Sequence, residues 1–166
     1  SSAHESGTDR VCEAAALTKA DLVVNIQGVE PFVDPQDIDR IADALRDDPG
    51  SAVTLMTPIG EQSELLDPSA VKVVTGDDNR ALYFSRAPIP FDRKQTGQLS
   101  QAHRHLGLYG YSTSLLTRWT ELPPHPLERL ESLEQLRALA AGITIRVLIN
   151  HSCLRGIDTN EDLAWA

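Results

Sequence analysis

The sequence predicts an α/β protein: a mostly parallel sheet flanked by helices, with a smaller antiparallel element. Residues 22–26, Leu-Val-Val-Asn-Ile, form an apolar run that stops at Gly28 and Pro31, the mark of a strand buried on both faces and entering a tight turn. Asp34-Pro35 follows, an N-cap aspartate with proline at the first helical position, and Ile38, Ile41, Ala42 and Leu45 recur at helical spacing. A second signal is the pair of apolar runs at 71–75 and 80–87 around Gly76-Asp77-Asp78-Asn79, which reads as a hairpin. The third is composition. Hydrophobic residues make up 41% of the chain and aromatic ones 5%, so the core is aliphatic, as in layered α/β folds. A chain of 166 residues suffices for one domain over 1–166 with a sizeable core.

The remaining elements follow in order. Thr8 or Asp9 is placed to cap a helix over 11–17. Residues 52–58 read as a buried strand ended by Pro58, and Asp67-Pro68 as a turn. Residues 92–102 are polar and read as a loop. Residues 105–111 alternate as a strand in which His105, Gly107, Tyr109 and Tyr111 share one face. Pro123 to Pro126 form a rigid spacer. The 127–137 stretch then reads as one helix with Leu127, Leu130, Leu133, Leu136 and Leu139 toward the core and charges such as Glu131 solvated. A strand is expected over 143–149, and a helix opening near Asp158 or Thr159.

The formal net charge is −9. Without a Lys/Arg cluster this excludes nonspecific binding to nucleic acid or an anionic membrane, yet a local pair of arginines can still hold an anionic small molecule. Cys12 and Cys153 lack metal-type spacing and read as reduced thiols in a cytoplasmic protein. No apolar run reaches the roughly 20 residues that span a bilayer. There is no Gly-rich phosphate loop. Polar groups at 27–30 stand at the carboxyl end of a strand, where open α/β sheets bind ligands. The 105–111 face carries an imidazole and two phenols beside a glycine, a surface that suits a polyhydroxylated, carboxylated sugar.

Six separated stretches carry a resemblance: Ser6-Gly7-Thr8-Asp9-Arg10, Asn25-Ile26-Gln27-Gly28-Val29-Glu30-Pro31, Ala81-Leu82-Tyr83-Phe84-Ser85-Arg86-Ala87, Arg104 to Tyr111, Leu133-Glu134-Gln135-Leu136-Arg137, and Gly156-Ile157-Asp158-Thr159. In this order they resemble the 3-deoxy-manno-octulosonate cytidylyltransferases, the CMP-Kdo synthetases. The resemblance spans nearly the whole chain and corresponds to the C-terminal two-thirds of that family. The family's N-terminal strand and nucleotide loop have no counterpart in these residues.

The resemblance implies a nucleotide-diphospho-sugar transferase-like fold and a cytoplasmic enzyme of lipopolysaccharide synthesis, forming homodimers. It would join CTP and Kdo to CMP-Kdo and pyrophosphate with Mg2+ as cofactor. It implies that Arg10 contacts nucleotide phosphate, that Gln27, Arg86, His105, Tyr109, Glu134 and Gln135 surround the sugar acid, and that Asp158 is a catalytic magnesium ligand. The family's other ligand is an aspartate at the position of Val29. That departure sets a second function class beside the first: a catalytically impaired relative that only binds sugar or nucleotide, or serves as an interaction module. A sialic-acid-activating enzyme of the same fold is a further alternative.

Overall fold

In a computed structural model that describes residues 7–27 and 33–150, twelve elements follow one another. They are α1 (Gly7–Thr18), β1 (Leu22–Ile26), α2 (Pro35–Asp47), β2 (Ala52–Pro58), α3 (Gln62–Leu66), β3 (Lys72–Thr75), β4 (Ala81–Ser85), β5 (His103–Ser112), α4 (Thr113–Thr120), α5 (Pro126–Glu131), α6 (Gln135–Ala140) and β6 (Ile145–Ile149). The strands form one 6-stranded sheet in the order β4-β3-β5-β2-β6, with β1 also paired to β5.

The sheet is mixed and mostly antiparallel, which corrects the mostly parallel sheet expected from the sequence. Only β2 and β6 pair in parallel; β5 runs antiparallel to β1, β2 and β3, and β3 antiparallel to β4. β1 and β2 do point the same way, as a crossover through α2 requires, but β5 is inserted between them. An apolar run records burial, not direction, so that insertion is invisible in the pattern. β2 is the strand buried along nearly its whole length. β1 is only half-buried, because among the described residues it has one partner.

The sheet separates two apolar layers. On one face α2 packs Ile41 and Leu45 onto Val53, Leu55, Leu106 and Leu108. The other face carries Tyr109, Tyr111, Phe84 and Val73 against Leu116 and Trp119 of α4 and Leu136 of α6. Gly110 allows α2 its close approach: a Cβ there would lie 2.4 Å from Ile41 Cγ2 and 2.7 Å from Leu45 Cδ1. α2 starts as expected, with Asp34 accepting a hydrogen bond from Gln36 N and Pro35 in the first turn. Its buried Asp37 accepts from Asn150 Nδ2 and Arg40 Nη1, and Arg40 Nη2 reaches Ile149 O at 2.8 Å, so the end of β6 is fastened to the start of α2.

The hairpin falls where the turn signal put it, with Gly76 N to Arg80 O at 2.9 Å and Asn79 in the left-handed region at φ 59. Two expectations are corrected, and two helices were not expected at all. α1 already starts at Gly7, so Thr8 and Asp9 lie inside it rather than capping it. α3 and α4 give too few periodic positions to have been legible. The helix expected over 127–137 is two helices, α5 and α6, broken at Ser132 in the left-handed region (φ 54, ψ 49). Leucines spaced by three drift about 60° around a helix at each step, because three residues fall short of a 3.6-residue turn. One straight helix cannot turn all five inward. After the break Leu133 and Leu136 are buried, while Leu130 stays 81% exposed and Leu127 38%. Glu128 and Arg137 clamp the two pieces with bonds of 2.6 and 2.9 Å.

Gly110→Ala should destabilise the fold by about 1–3 kcal/mol, the usual cost of overpacking, because both neighbours are fully buried. Gly60→Ala, with nothing within 4 Å of its Cβ, should stay within about 0.5 kcal/mol. Urea unfolding midpoints of the two variants check this; equal midpoints would contradict the packing.

Candidate active site

β5 is longer than the strands beside it. On one edge it pairs with β1 through residues 108–112 and with β3 through 103–104. His105 N still reaches Val71 O at 2.8 Å. Between those partners no described strand pairs with this edge at 105–107. On the other edge β2 meets a bulge: Thr54 pairs with Tyr109 and Leu55 with Leu106, so one step on β2 spans three on β5. Bulges re-aim side chains and interrupt pairing, and here the bulge coincides with that stretch. A cleft of about 710 Å³ occupies the place.

The structure brings Arg10, Gln27, Arg86, His105, Tyr109, Glu134 and Gln135 together along that cleft, from α1, the end of β1, the exit of β4, β5 and the α5–α6 break. Asp158 and Val29 lie outside the described residues. Gln27 enters because Gly107 is bare: a Cβ at 107 would sit 2.7 Å from Gln27 Oε1. Glu134 and Gln135 enter because the chain breaks at Ser132. Glu134 Oε2 accepts from Thr8 Oγ1. Gln135 is 7% exposed and faces the cleft. Arg104 also lines it, joined to Glu64 at 3.4 Å.

Two residues that hold this wall from behind were not singled out as site residues by the sequence. Glu131, expected in solvent, is half-buried: it accepts from Ser85 Oγ at 2.7 Å and Arg86 N at 2.9 Å. Arg86 in turn donates to Glu131 O at 2.7 Å and Pro68 O at 2.9 Å. Lys72 is fully buried and donates to Asp67 O and Ala70 O. Its pKa is lowered, first by burial; nearby Arg86 lowers it further, while Asp67, Glu131 and Glu64 oppose. The two cations thus hold the 67–70 turn, whose Ser69 and Ala70 line the cleft. A lysine inside Val71-Lys72-Val73-Val74 was a legible hint. Glu131 offered none, since its partners are far away in sequence.

His105 lies within an aromatic ladder. Its ring is 5.1 Å from Phe84 and 5.2 Å from Tyr109; Tyr109 stacks on Tyr111 at 5.7 Å, and Trp119 meets both edge-on. Burial lowers the His105 pKa to about 3, so the ring is neutral at physiological pH. Burial likewise raises the Tyr109 and Tyr111 phenols, with the Glu134 charge adding to it. Both stay protonated donors. Tyr109 Oη and Trp119 Nε1 are buried without a hydrogen-bond partner among the described residues. The cleft therefore offers neutral donors and acceptors beside Arg10, Arg86 and Arg104, a surface matched to a hydroxylated anion.

Comparison with known proteins follows this geometry. The family model described as "Cytidylyltransferase" matches residues 1–145. The chain belongs to the cytidylyltransferase family. It is 47% identical to a 3-deoxy-manno-octulosonate cytidylyltransferase of Solibacter usitatus over 96% of this chain and 64% of that protein. It is 48% identical to one of Syntrophobacter fumaroxidans over 96% and 66%. The solved structure of a CMP:2-keto-3-deoxy-manno-octonic acid synthetase complexed with CTP superimposes with a TM-score of 0.88 at 40% identity, covering 98% of this chain and 67% of that one. This cytidylyltransferase chain thus spans about two thirds of the length of the relatives it matches. Among its described residues no helix is long and apolar enough to cross a membrane.

The half-buried imidazole gives stability a pH dependence. Its folded pKa of about 3 lies below the roughly 6.5 of an unfolded histidine. The unfolded chain therefore takes up the proton first. Stability is full above about pH 6.5 and falls as pH drops toward 3, by at most about 1.4 kcal/mol per unit. Urea unfolding at pH 7.5 and 5.5 should show a loss of about 1 kcal/mol that His105→Asn removes. An unchanged pH slope in that variant would contradict a neutral ring at His105.

Proposed function

We propose that this chain forms the sugar-acid side of a cytidylyltransferase that joins CTP and Kdo to give CMP-Kdo and pyrophosphate. The observation that carries the reading is the convergence of widely separated residues on the cleft beside Gly107, in a chain similar to proteins named for that reaction. In the reaction the anomeric hydroxyl of Kdo attacks the α-phosphate of CTP, the bond to the bridging oxygen breaks, and pyrophosphate leaves. Little covalent work falls to the protein; position and charge do most of it.

The roles divide by chemistry. Arg86, tied to Glu131 and Pro68, stands as a fixed charge toward the sugar carboxylate. Gln27, His105, Tyr109, Glu134 and Gln135 are placed for hydroxyls, and exposed Arg10 for nucleotide phosphate. CTP supports a cytoplasmic location, and the family resemblance supports a homodimer. Magnesium takes one or two carboxylates along with phosphate oxygens, and the described residues hold no group of three or more His, Cys, Asp or Glu. Asp158 remains the proposed ligand, outside them.

Val29 favours a second reading, a protein that binds but turns over slowly, since it places methyls where relatives of this kind carry a carboxylate. Pyrophosphate release from CTP, Kdo and magnesium decides between the two. Losing even an indirect metal partner costs about 10- to 100-fold, so Val29→Asp should raise the rate by about 10-fold or more. Equal rates would show that position 29 is no ligand. With the N-terminal nucleotide segment of the relatives restored, absence of Kdo-dependent pyrophosphate release from Val29→Asp would overturn the cytidylyltransferase reading.

A further inference from the structure

Thr54 lies on β2 with no exposed surface, and its hydroxyl stands among polar atoms of β5, with the Tyr109 phenol also near it. Oγ1 is 2.7 Å from Leu108 O, 3.3 Å from Leu106 O and 2.9 Å from His105 Nε2. Both carbonyls belong to the β5 bulge, where regular pairing with β2 is lost. A hydroxyl has one hydrogen to give and lone pairs to receive. Two oxygens 2.7 Å apart are held by a hydrogen between them, so the threonine hydrogen points at Leu108 O. What remains toward His105 is a lone pair, which requires a hydrogen on Nε2.

A neutral imidazole carries one N–H, and the bond made by one nitrogen decides the state of the other. The ring is neutral because burial opposes its charge. With the hydrogen on Nε2, Nδ1 is a bare lone pair. Nδ1 makes no hydrogen bond among the described residues, and His105 lines the cleft.

We infer that Thr54 is a positioning residue that locks His105 in the Nε2–H tautomer, so that His105 offers the cleft an acceptor and reads a ligand hydroxyl rather than a carboxylate. A carboxylate accepts hydrogen bonds and would be repelled by a bare Nδ1; a sugar hydroxyl donates to it. The inference deepens the proposed function and its ligand class rests on that reading, whereas the tautomer rests on the protein alone. It divides the cleft between Arg86 for the anionic end and His105 for the hydroxylated body.

The test is nitrogen NMR of the protein with 15N-labelled histidine at pH 7.5, with the His105 signals identified by their loss in His105→Asn. The expected spectrum has a protonated Nε2 and an unprotonated Nδ1. Thr54→Val, close in shape but without a hydroxyl, should give a mixture of tautomers, and Thr54→Ser should restore the single one. A hydrogen on Nδ1 in the wild type, or an unchanged tautomer in a folded Thr54→Val, overturns the inference. If Thr54→Val does not fold, the wild-type and Thr54→Ser spectra decide. Added Kdo should shift Nδ1 without protonating it; protonation, or Kdo binding by calorimetry with no response at Nδ1, overturns the hydroxyl reading. Failure of Kdo to bind at all would count against the function and the ligand class, while the free-protein spectrum still settles the tautomer.

Discussion

The structure depends on one strand. β5 runs against β1, β2 and β3 and is paired to all of them, so it ties the β1–α2–β2 unit to the β3–β4 hairpin. Its length exceeds what β1 and β3 can cover from the same side, and its bulge interrupts the ladder with β2. Strands normally satisfy every backbone group along both edges. Here the irregularity is confined to 105–108, and the cleft lies at that point. Fold and site share a cause: Gly107, on the stretch of β5 between its β1 and β3 pairings, admits Gln27, and Gly110 three residues later admits α2.

An opening in a sheet exposes polar groups to a region poor in water, and an unpaired buried polar group costs about 1–3 kcal/mol. Thr54 answers the bulge carbonyls, Glu131 the Ser85 hydroxyl and the Arg86 N–H, and Lys72 the carbonyls of the 67–70 turn. These contacts fasten the rim before any ligand arrives. A pre-organised rim lets binding energy go to orientation instead of to ordering the protein. Tyr109 and Trp119 differ, with buried polar atoms that find no partner among the described residues.

Elements whose signal is local were legible in the sequence. The β1–α2 turn, the 76–79 hairpin and β2 follow from apolar runs, a proline and a turn tetrad. Strand direction was not, because β5 enters between two strands that are close in sequence and its pairing is set by distant partners. The break at Ser132 was half legible: leucines at intervals of three contradict a straight helix, and the contradiction is resolved by a left-handed residue. The cleft residues came from motif resemblance, and the structure gathers those it describes. Thr54, Lys72 and Glu131 escaped because their importance lies in partners that no local pattern encodes.

The central claim is that the opening beside Gly107 is where the sugar acid sits, with Gln27 filling the space that a side chain at 107 would take. Calorimetric titration of Gly107→Ala with Kdo, alongside its urea midpoint, tests it most directly. The added Cβ would meet only the tip of an exposed, flexible side chain, so stability should stay within about 0.5 kcal/mol of the wild type. Kdo affinity should fall about 10-fold or more, equivalent to about 1.4 kcal/mol. A stable Gly107→Ala protein that binds Kdo as tightly as the wild type would contradict the account.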